Sequence, residues 1–276
     1  MNISCKGKLI DLTTPKIMGI LNLTPDSFYD GGVFNNTDRA LAQTEKMLLE
    51  GATFIDVGGA SSKPGAVEIS IDEELARVLP IIEEIQKRFP EAIISIDTYR
   101  SVVAQQAVAT GAAIVNDISG GNLDAKMLGT VGALGGVPYI AMHMQGKPQN
   151  MQDNPSYDNV LVAIRSFFAA KIDEAHKAGI HDIIIDPGFG FGKTLDHNYS
   201  LLKSLSSMQM DGIPMLIGLS RKSMIHKLLE IEAADALNGT TVLNTIALQQ
   251  GAQILRVHDV KEAQQAIHLI EKLTYA

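Results

Sequence analysis

The chain has 276 residues, of which 46% are apolar and 20% charged, with a formal net charge of −8 and a single cysteine, Cys5. Such a composition buries a sizeable core and excludes intrinsic disorder as the main state, and the length suits one barrel-type α/β domain of roughly 250 residues. The acidic balance argues against a non-specific nucleic-acid binder, and a lone cysteine excludes a disulfide framework or a CxxC metal site and fits a reducing compartment.

Residues 1–16 read as a short hairpin with Lys6-Gly7 at its turn. The start lacks the apolar stretch of a signal peptide, and no apolar run approaches the ~18 residues of a membrane span, so a soluble cytoplasmic protein with no membrane or nucleic-acid partner is expected. Beyond the hairpin, near-continuous apolar runs follow one another at Ile17–Leu21, Phe54–Gly58, Ile93–Asp97, Ala113–Asp117, Pro138–Met142, Asp182–Asp186, Pro214–Leu219 and Gln253–Val257. Runs of this kind suit parallel strands buried on both faces. The segments between them read as helices: Thr37–Glu50, opened by a Thr-Asp pair suited to an N-cap and closed by Gly51; Ile71–Arg88, stopped before Pro90; Tyr157–Ala178, closed by Gly179; Ala233–Gln250, closed by Gly251; and Asp259–Lys272. No repeat, low-complexity tract or linker divides the chain, so residues 1–276 are expected as one domain. Eight βα units in a row predict a (β/α)8 barrel first and a doubly wound sheet second, with the hairpin closing the N-terminal face of the barrel.

In such barrels the chemistry sits at the C-terminal ends of the strands. Here those ends read Asn22, Gly58-Gly59, Asp97, Asn116-Asp117, Met142-His143, Asp186, Gly218 with Ser220, and Arg256 with His258. Helix capping accounts for one or two of these, and for Asp117 it is the favoured reading. It accounts poorly for a polar group at nearly every strand end.

Six motifs stand at those ends. After Asn22 a loop of about 14 residues precedes the next helix, longer than the usual 2–6; Asn22 has a carbonyl oxygen for Mg²⁺ or an amide for phosphate. Gly58-Gly59-Ala60-Ser61-Ser62-Lys63-Pro64-Gly65 brings amides, hydroxyls and a cation to an anion. Asp97, Asn116 and Asp186 together suit a flat heterocycle with mixed donors and acceptors. In Asp186-Pro187-Gly188-Phe189-Gly190-Phe191-Gly192-Lys193 the glycines allow close backbone approach and Phe189 or Phe191 can cover an aromatic ring, with burial beneath the loop an equal reading for Phe191. Gly218-Leu219-Ser220-Arg221-Lys222-Ser223 resembles an anion site at a helix start. Arg256 and His258 share a strand face and both donate to a pyrophosphate oxygen. The other histidines, His143, His176, His181, His197, His226 and His268, read as structural, and neither a zinc-spaced His pair nor HExxH is present.

Taken together, Asn22-Leu23-Thr24-Pro25-Asp26-Ser27-Phe28, Gly58-Gly59 with Pro64-Gly65, Asp97, Asn116-Asp117, Asp186-Pro187-Gly188-Phe189-Gly190, Ser220-Arg221-Lys222-Ser223 and Arg256-Val257-His258-Asp259 resemble the bacterial dihydropteroate synthases over essentially the whole chain. The resemblance implies a (β/α)8 barrel in which para-aminobenzoate displaces pyrophosphate from 6-hydroxymethyl-7,8-dihydropterin diphosphate. It implies a Mg²⁺ requirement, a homodimer, and sulfonamides as competitors of the aminobenzoate. It places Asp97, Asn116, Asp186 and Lys222 around the pterin, with Phe189 and Gly218 beside the ring and Arg256 stacked on it. Asn22, Ser62, Lys63, Arg256 and His258 fall at the diphosphate, Asn22 also at the metal. Phe28, Ser62, Lys63, Pro64 and Ser223 fall at the aminobenzoate, and Asp97, Asp186, Lys222, Arg256 and His258 carry the catalysis. The chain departs from the family in its second loop, usually Ser-Thr-Arg-Pro-Gly and here Ser61-Ser62-Lys63-Pro64-Gly65, which loses a guanidinium fork and a methyl group; Ala60 replaces a frequent Glu. The alternatives are a pterin-binding methyltransferase barrel and a non-catalytic pterin-binding paralogue, which should have lost part of the diphosphate pole.

Overall fold

The structure, a computed structural model, describes residues 1–24 and 33–274. The chain opens with strands β1 (Asn2–Cys5) and β2 (Lys8–Asp11), paired antiparallel. Their turn is Lys6-Gly7, with φ of 49° and 80°, the doubly left-handed geometry that matches the twist of a tight hairpin.

Eight parallel strands follow: β3 (Lys16–Asn22), β4 (Phe54–Gly58), β5 (Ile93–Asp97), β6 (Ile114–Asp117), β7 (Tyr139–Met142), β8 (Ile183–Asp186), β9 (Leu216–Ile217) and β10 (Ile254–Val257). They pair in the order β8-β7-β6-β5-β4-β3-β10-β9. A parallel bridge between Ile185 and Met215 closes the ring. β9 is shorter than the expected Pro214–Leu219 because Pro214 has no N–H to give the ladder; only its carbonyl takes part, accepting from Ile185 N at 3.0 Å.

The helices are α1 (Val33–Leu49), α2 (Ile71–Arg88), α3 (Ser101–Thr110), α4 (Met127–Leu134), α5 (Val160–Lys177), α6 (Leu195–Lys203), α7 (Ser223–Leu229), α8 (Leu237–Gln249) and α9 (Val260–Thr274). α2 has the expected bounds, capped by Ser70, whose side chain accepts from Glu73 N. The other four differ, α9 by running over Val260–Thr274 instead of the expected Asp259–Lys272. Thr37 and Asp38 lie inside α1 instead of capping it. α5 begins at Val160 because Asn159 caps it through Val162 N, leaving Tyr157 outside. Ala233–Gln250 splits into one 3-10 turn at Ala233–Asp235 and α8. Among the described residues no helix is long and apolar enough to cross a membrane.

The period of two along each strand sorts the core. Met18, Phe54, Ile93, Ile114, Ile140, Ile184, Leu216 and Ile254 pack inside the barrel against Ile3, Cys5, Ile10 and Leu12 of the hairpin, which thereby closes the N-terminal end. Their strand neighbours Ile17, Ile55, Ile94, Val115, Ile183, Ile185, Ile217 and Leu255 face the helices. Each such side chain contributes roughly 1.5–3 kcal/mol by leaving water. A one-residue slip in any strand would exchange the two layers, so the lower core fixes which side chains face inward at the mouth.

Candidate active site

Counting upward by two from the inner apolar layer gives Asn22 on β3, Asp56 and Gly58 on β4, Asp97 on β5, Asn116 on β6, Met142 on β7, Asp186 on β8, Gly218 beyond β9 and Arg256 on β10. Register sets several of them side by side: Asn22 beside Gly58, Gly58 beside Asp97, Asp97 beside Asn116, and Met142 beside Asp186. The polar strand ends expected from the sequence therefore converge on one mouth.

Arg256 lies across it. Its Nε donates to Asp56 Oδ2 at 2.6 Å and its Nη2 to Asp97 Oδ2 at 2.7 Å. Asn116 Nδ2 donates to the same Asp56 oxygen at 2.9 Å. Asp56 is fully buried, and among the described residues its Oδ1 has no hydrogen-bond partner. Burial first, and then the neighbouring Asp56 charge, push the Asp97 carboxyl above its ordinary range against the pull of Arg256. Burial alone would lower Arg256, but the two carboxylates outweigh it and hold the guanidinium above its usual value. Sequence reasoning assigned Asp56 no role. The signal was its inward parity, two residues before Gly58 on a strand that is otherwise apolar.

On the opposite side, Asp186 Oδ1 accepts from Gly188 N at 2.8 Å. That turn requires glycine: Gly188 has φ of 68°, and a Cβ there would stand 2.0 Å from His143 O. Burial raises the Asp186 carboxyl, while Lys222 and the Gly188 amide oppose the rise. Lys222 Nζ donates to Phe189 O and sits 4.9 Å from the centre of the Phe191 ring. Burial lowers Lys222 to about 8 against the pull of Asp186. The phenylalanines exchange their expected places. The Phe189 ring is fully buried in the helix-facing core and reaches the mouth only through its carbonyl, whereas Phe191 is half-buried under the ammonium. Gly218 leaves room between Lys222 and Arg256: a Cβ there would stand 3.7 Å from Lys222 Nζ and 3.9 Å from Arg256 Cβ.

Arg256 stands on β10 and His258 just past its end at Val257, and the charge of Arg256 reaches the imidazole. His258 turns to Ser220, whose Oγ lies 2.9 Å from Nδ1 and accepts from His258 N at 3.2 Å. With the hydroxyl donating to Nδ1, the ring proton sits on Nε2 and is available to an anion. His258 is exposed, yet desolvation by the protein packed around it, with the charges of Arg256 and Arg221, holds its imidazole below the ordinary value; Lys63 adds to the effect. The β9–α7 and β10–α9 junctions are tied by Arg221, which donates to Asp259 through Nε at 3.0 Å and Nη2 at 2.6 Å. Ser223 opens α7 directly after Lys222.

Ser62, Lys63 and Pro64 lie on the rim, Lys63 and Pro64 exposed. Arg77 Nη1 holds the start of that loop at Gly59 O, 2.8 Å away. Arg100 holds its end at Ile69 O and is anchored by buried Glu74 at 2.8 Å. Phe28 lies outside the described residues. Asn22 presents a hard amide oxygen beside Gly58 and Asp97, and among the described residues no three His, Cys, Asp or Glu side chains gather as a metal cage. A single oxygen ligand fits Mg²⁺, which keeps its waters and takes substrate phosphate oxygens. Asp117 is structural but caps no helix, since α4 begins only at Met127: it accepts from Ser119 N, Gly121 N and the Tyr139 hydroxyl.

Residues 18–258 match the family model described as pterin binding enzyme. The chain is 45% identical to the dihydropteroate synthase of Escherichia coli strain K12 over 98% of its own length and 96% of that protein's. It superposes on the Yersinia pestis dihydropteroate synthase solved with a sulfonamide drug with a TM-score of 0.94 at 44% identity, covering 100% of both chains. The Xanthomonas albilineans dihydropteroate synthase in complex with 7,8-dihydropteroate gives a TM-score of 0.90 at 35% identity, again over 100% of both.

Proposed function

The chain belongs to the pterin-binding enzymes, and from that premise we propose that it carries out the dihydropteroate synthase reaction: the amine of para-aminobenzoate displaces pyrophosphate from 6-hydroxymethyl-7,8-dihydropterin diphosphate, giving 7,8-dihydropteroate. The observation that carries the reading at this site is the convergence of Asp97, Asn116, Asp186, Lys222 and Arg256 on one barrel mouth, beside an imidazole and a lysine that suit an anion.

In this reading Asp186 accepts from the donor edge of the pterin, Asn116 gives a donor and an acceptor to the same ring, and Lys222 donates to its acceptor edge. Arg256, fixed by two carboxylates, offers its guanidinium plane to the ring. The electron-rich dihydropterin pushes density toward the CH₂ that carries the diphosphate. As the C–O bond breaks, positive charge spreads over the ring, and the carboxylates of Asp97 and Asp186 stabilise it. His258 Nε2–H and Lys63 stabilise the departing anion. Asn22 would hold Mg²⁺, which when bound supplies further positive charge to the diphosphate. The arylamine is neutral, needs only placement, forms the C–N bond and then loses a proton. Its carboxylate is placed at the Ser223 backbone amide and hydroxyl, with Ser62 and Lys63 on the facing rim and Pro64 and Phe28 as apolar walls. The homodimer implied by the resemblance has a candidate face in the exposed Leu228, Leu229, Val242, Leu269 and Leu273 of α7–α9.

The test is to follow pyrophosphate release from the pterin diphosphate with and without para-aminobenzoate and Mg²⁺. Release that requires all three, with dihydropteroate formed in equal amount, is the expected result. Hydrolysis indifferent to the amine would overturn it.

A further inference from the structure

Lys193 takes no part in the mechanism above, yet it is 2% exposed. Its Nζ donates to Gly188 O at 2.9 Å, Phe191 O at 3.0 Å and His143 O at 3.3 Å, and lies 3.1 Å from His143 Nδ1. Three of these partners are carbonyl oxygens that only accept, so the three protons of the ammonium satisfy them better than the two of a neutral amine. No carboxylate touches it among the described residues. A buried cation whose contacts are all neutral is costly unless its charge or its geometry serves something nearby.

What stands nearby is the turn that presents Asp186 and Lys222. Gly188, whose carbonyl Lys193 holds, gives its amide to Asp186 Oδ1. Phe189, between the two carbonyls that Lys193 holds, gives its own carbonyl to Lys222. The His143 contacts pin this turn to the exit of β7. Three carboxylates, Asp56, Asp97 and Asp186, face the barrel mouth, against two cations that touch it, Arg256 and Lys222. When protonated, Lys193 adds a third positive charge that favours the ionised form of Asp186, and burial lowers its own pKa to about 7 against the pull of that carboxylate.

We infer that Lys193 is a positioning residue for the pterin end of the reaction: by gathering the carbonyls of His143, Gly188 and Phe191 it holds the turn after β8 in the shape that aims Asp186 and Lys222 at the ring. The inference rests on the reading of Asp186 as the pterin anchor. Two features agree with it. Because an ammonium cannot accept, His143 must accept at Nδ1, carry its proton on Nε2 and stay neutral; burial and Lys193 together push its pKa down to about 3. Tyr157, packed against the same imidazole with ring centres 6.1 Å apart, donates its hydroxyl to Gly192 O at 2.7 Å, so the turn is held from both sides of Lys193.

The experiment titrates 6-hydroxymethylpterin into the full-length wild type, Lys193→Met and Lys193→Gln by calorimetry, with steady-state kinetics alongside. Lys193→Met is expected to weaken pterin binding by at least about tenfold, the loss of hydrogen bonds to a charged donor. It should raise KM for the pterin diphosphate similarly and leave KM for para-aminobenzoate within about twofold. Lys193→Gln restores N–H donors at the same depth and should recover part of the affinity. A purely structural lysine would lower the melting temperature without that split. Folded Met and Gln variants that bind pterin within about twofold of wild type overturn the inference. Should neither fold, wild-type nitrogen-15 spectra decide it: pterin binding is expected to move the His143 Nδ1 resonance, and an unmoved resonance overturns the proposal. A wild type that binds no pterin overturns the anchor reading itself, and this inference with it.

Discussion

Asp56 and Arg256, separated by 200 positions in the chain, meet at 2.6 Å inside the barrel, and Asp97 binds the other side of the same guanidinium at 2.7 Å. Arg256 is thus oriented by the protein alone. A guanidinium fixed in advance loses no rotamer freedom when a ligand arrives, which is how preorganisation contributes to both affinity and rate. The arrangement places two carboxylates on one cation, so the pair of acids repels itself and favours whatever brings positive charge to the mouth.

Replacing Asp56 by Asn isolates this effect. The amide oxygen can stand where Oδ2 stands and accept from both Arg256 Nε and Asn116 Nδ2, so what is lost is the charge behind the bond to the guanidinium, roughly 1–3 kcal/mol. The urea midpoint should fall accordingly. Removing the Asp56 charge should also lower the Asp97 pKa, since that charge is part of what raises it. Carbon-13 titration of the Asp97 carboxyl reads the direction; an unchanged or higher value contradicts the shared-cation account.

Asp186→Asn probes the pterin anchor. The substitution turns an acceptor into a donor facing the donor edge of the ring, and it leaves Lys222 without its nearest counter-charge. Pterin affinity should fall by about tenfold or more, corresponding to roughly 1–3 kcal/mol. Calorimetry with free pterin, without diphosphate, is the direct measurement, and equal affinity would remove Asp186 from the site.

The reach of the sequence ended at side-chain direction. Strand order, the hairpin and the ring of polar strand ends were legible because the barrel leaves an inner and an outer apolar layer with period two, and Asn22, Asp97, Asn116, Asp186 and Arg256 continue the inner one. Asp56 was not singled out, because a carboxylate within an apolar strand carries no motif and declares itself only when its inward parity is counted. The exchange of Phe189 and Phe191 was equally hidden. Alternating Gly and Phe give no period that tells which ring goes down, and the choice depends on Gly188 adopting a positive φ against the His143 carbonyl. Lys193 carries no signal of its own in the sequence, because its three carbonyl partners are brought together only by the fold.

In the proposed reading His258 serves the leaving group, and that assignment is testable. His258→Ala removes the Nε2–H donor and the Ser220 contact but no hydrogen bond to Asp97, Asn116, Asp186 or Lys222. Pyrophosphate affinity and turnover should both fall, by about tenfold or more for a lost bond to a charged partner, while free-pterin affinity stays within about twofold. Equal loss of both ligands would show that the two poles are not separate.

Lys222 predicts opposite trends for binding and stability above neutral pH. Its folded pKa of about 8 lies below the usual lysine value of 10.5. Below about pH 8 both folded and unfolded chains hold the proton, and the cost of burying the charge is fully present. Between about 8 and 10.5 the unfolded chain binds more protons, so this lysine makes stability rise with pH across that window. Lys193, lowered to about 7, extends the same trend downward. Pterin binding needs the ammonium and should weaken from about pH 8 upward. Calorimetry and urea midpoints over pH 7 to 10 read the two trends, and pterin affinity flat across that range would release Lys222 from its role.

The aminobenzoate site makes the last prediction, and its logic is electrostatic. Lys63 stands on the exposed rim, and its charge still reaches His258, a minor influence beside burial and the charges of Arg256 and Arg221. One cation therefore serves two anions: the diphosphate held by His258 and the carboxylate placed at Ser223. With the diphosphate absent, Lys63 is free to remain in water, and an exposed ion pair with the carboxylate is worth little, about 1 kcal/mol or less. With the diphosphate bound, the rim closes over a filled mouth and the aromatic ring gains apolar contact. Aminobenzoate should therefore bind weakly to the ligand-free enzyme and much more tightly once pterin and pyrophosphate are in place, the two effects being reciprocal. Lys63→Ala should reduce that coupling more than it reduces binding to the ligand-free enzyme. Sulfonamides carry the same amine, ring and anionic end, so extra para-aminobenzoate should relieve their inhibition and extra pterin diphosphate should strengthen it. Calorimetric titration of both anions in either order tests the coupling, and inhibition relieved by the pterin diphosphate instead of the aminobenzoate would place the sulfonamide, and with it the aminobenzoate, elsewhere in the mouth.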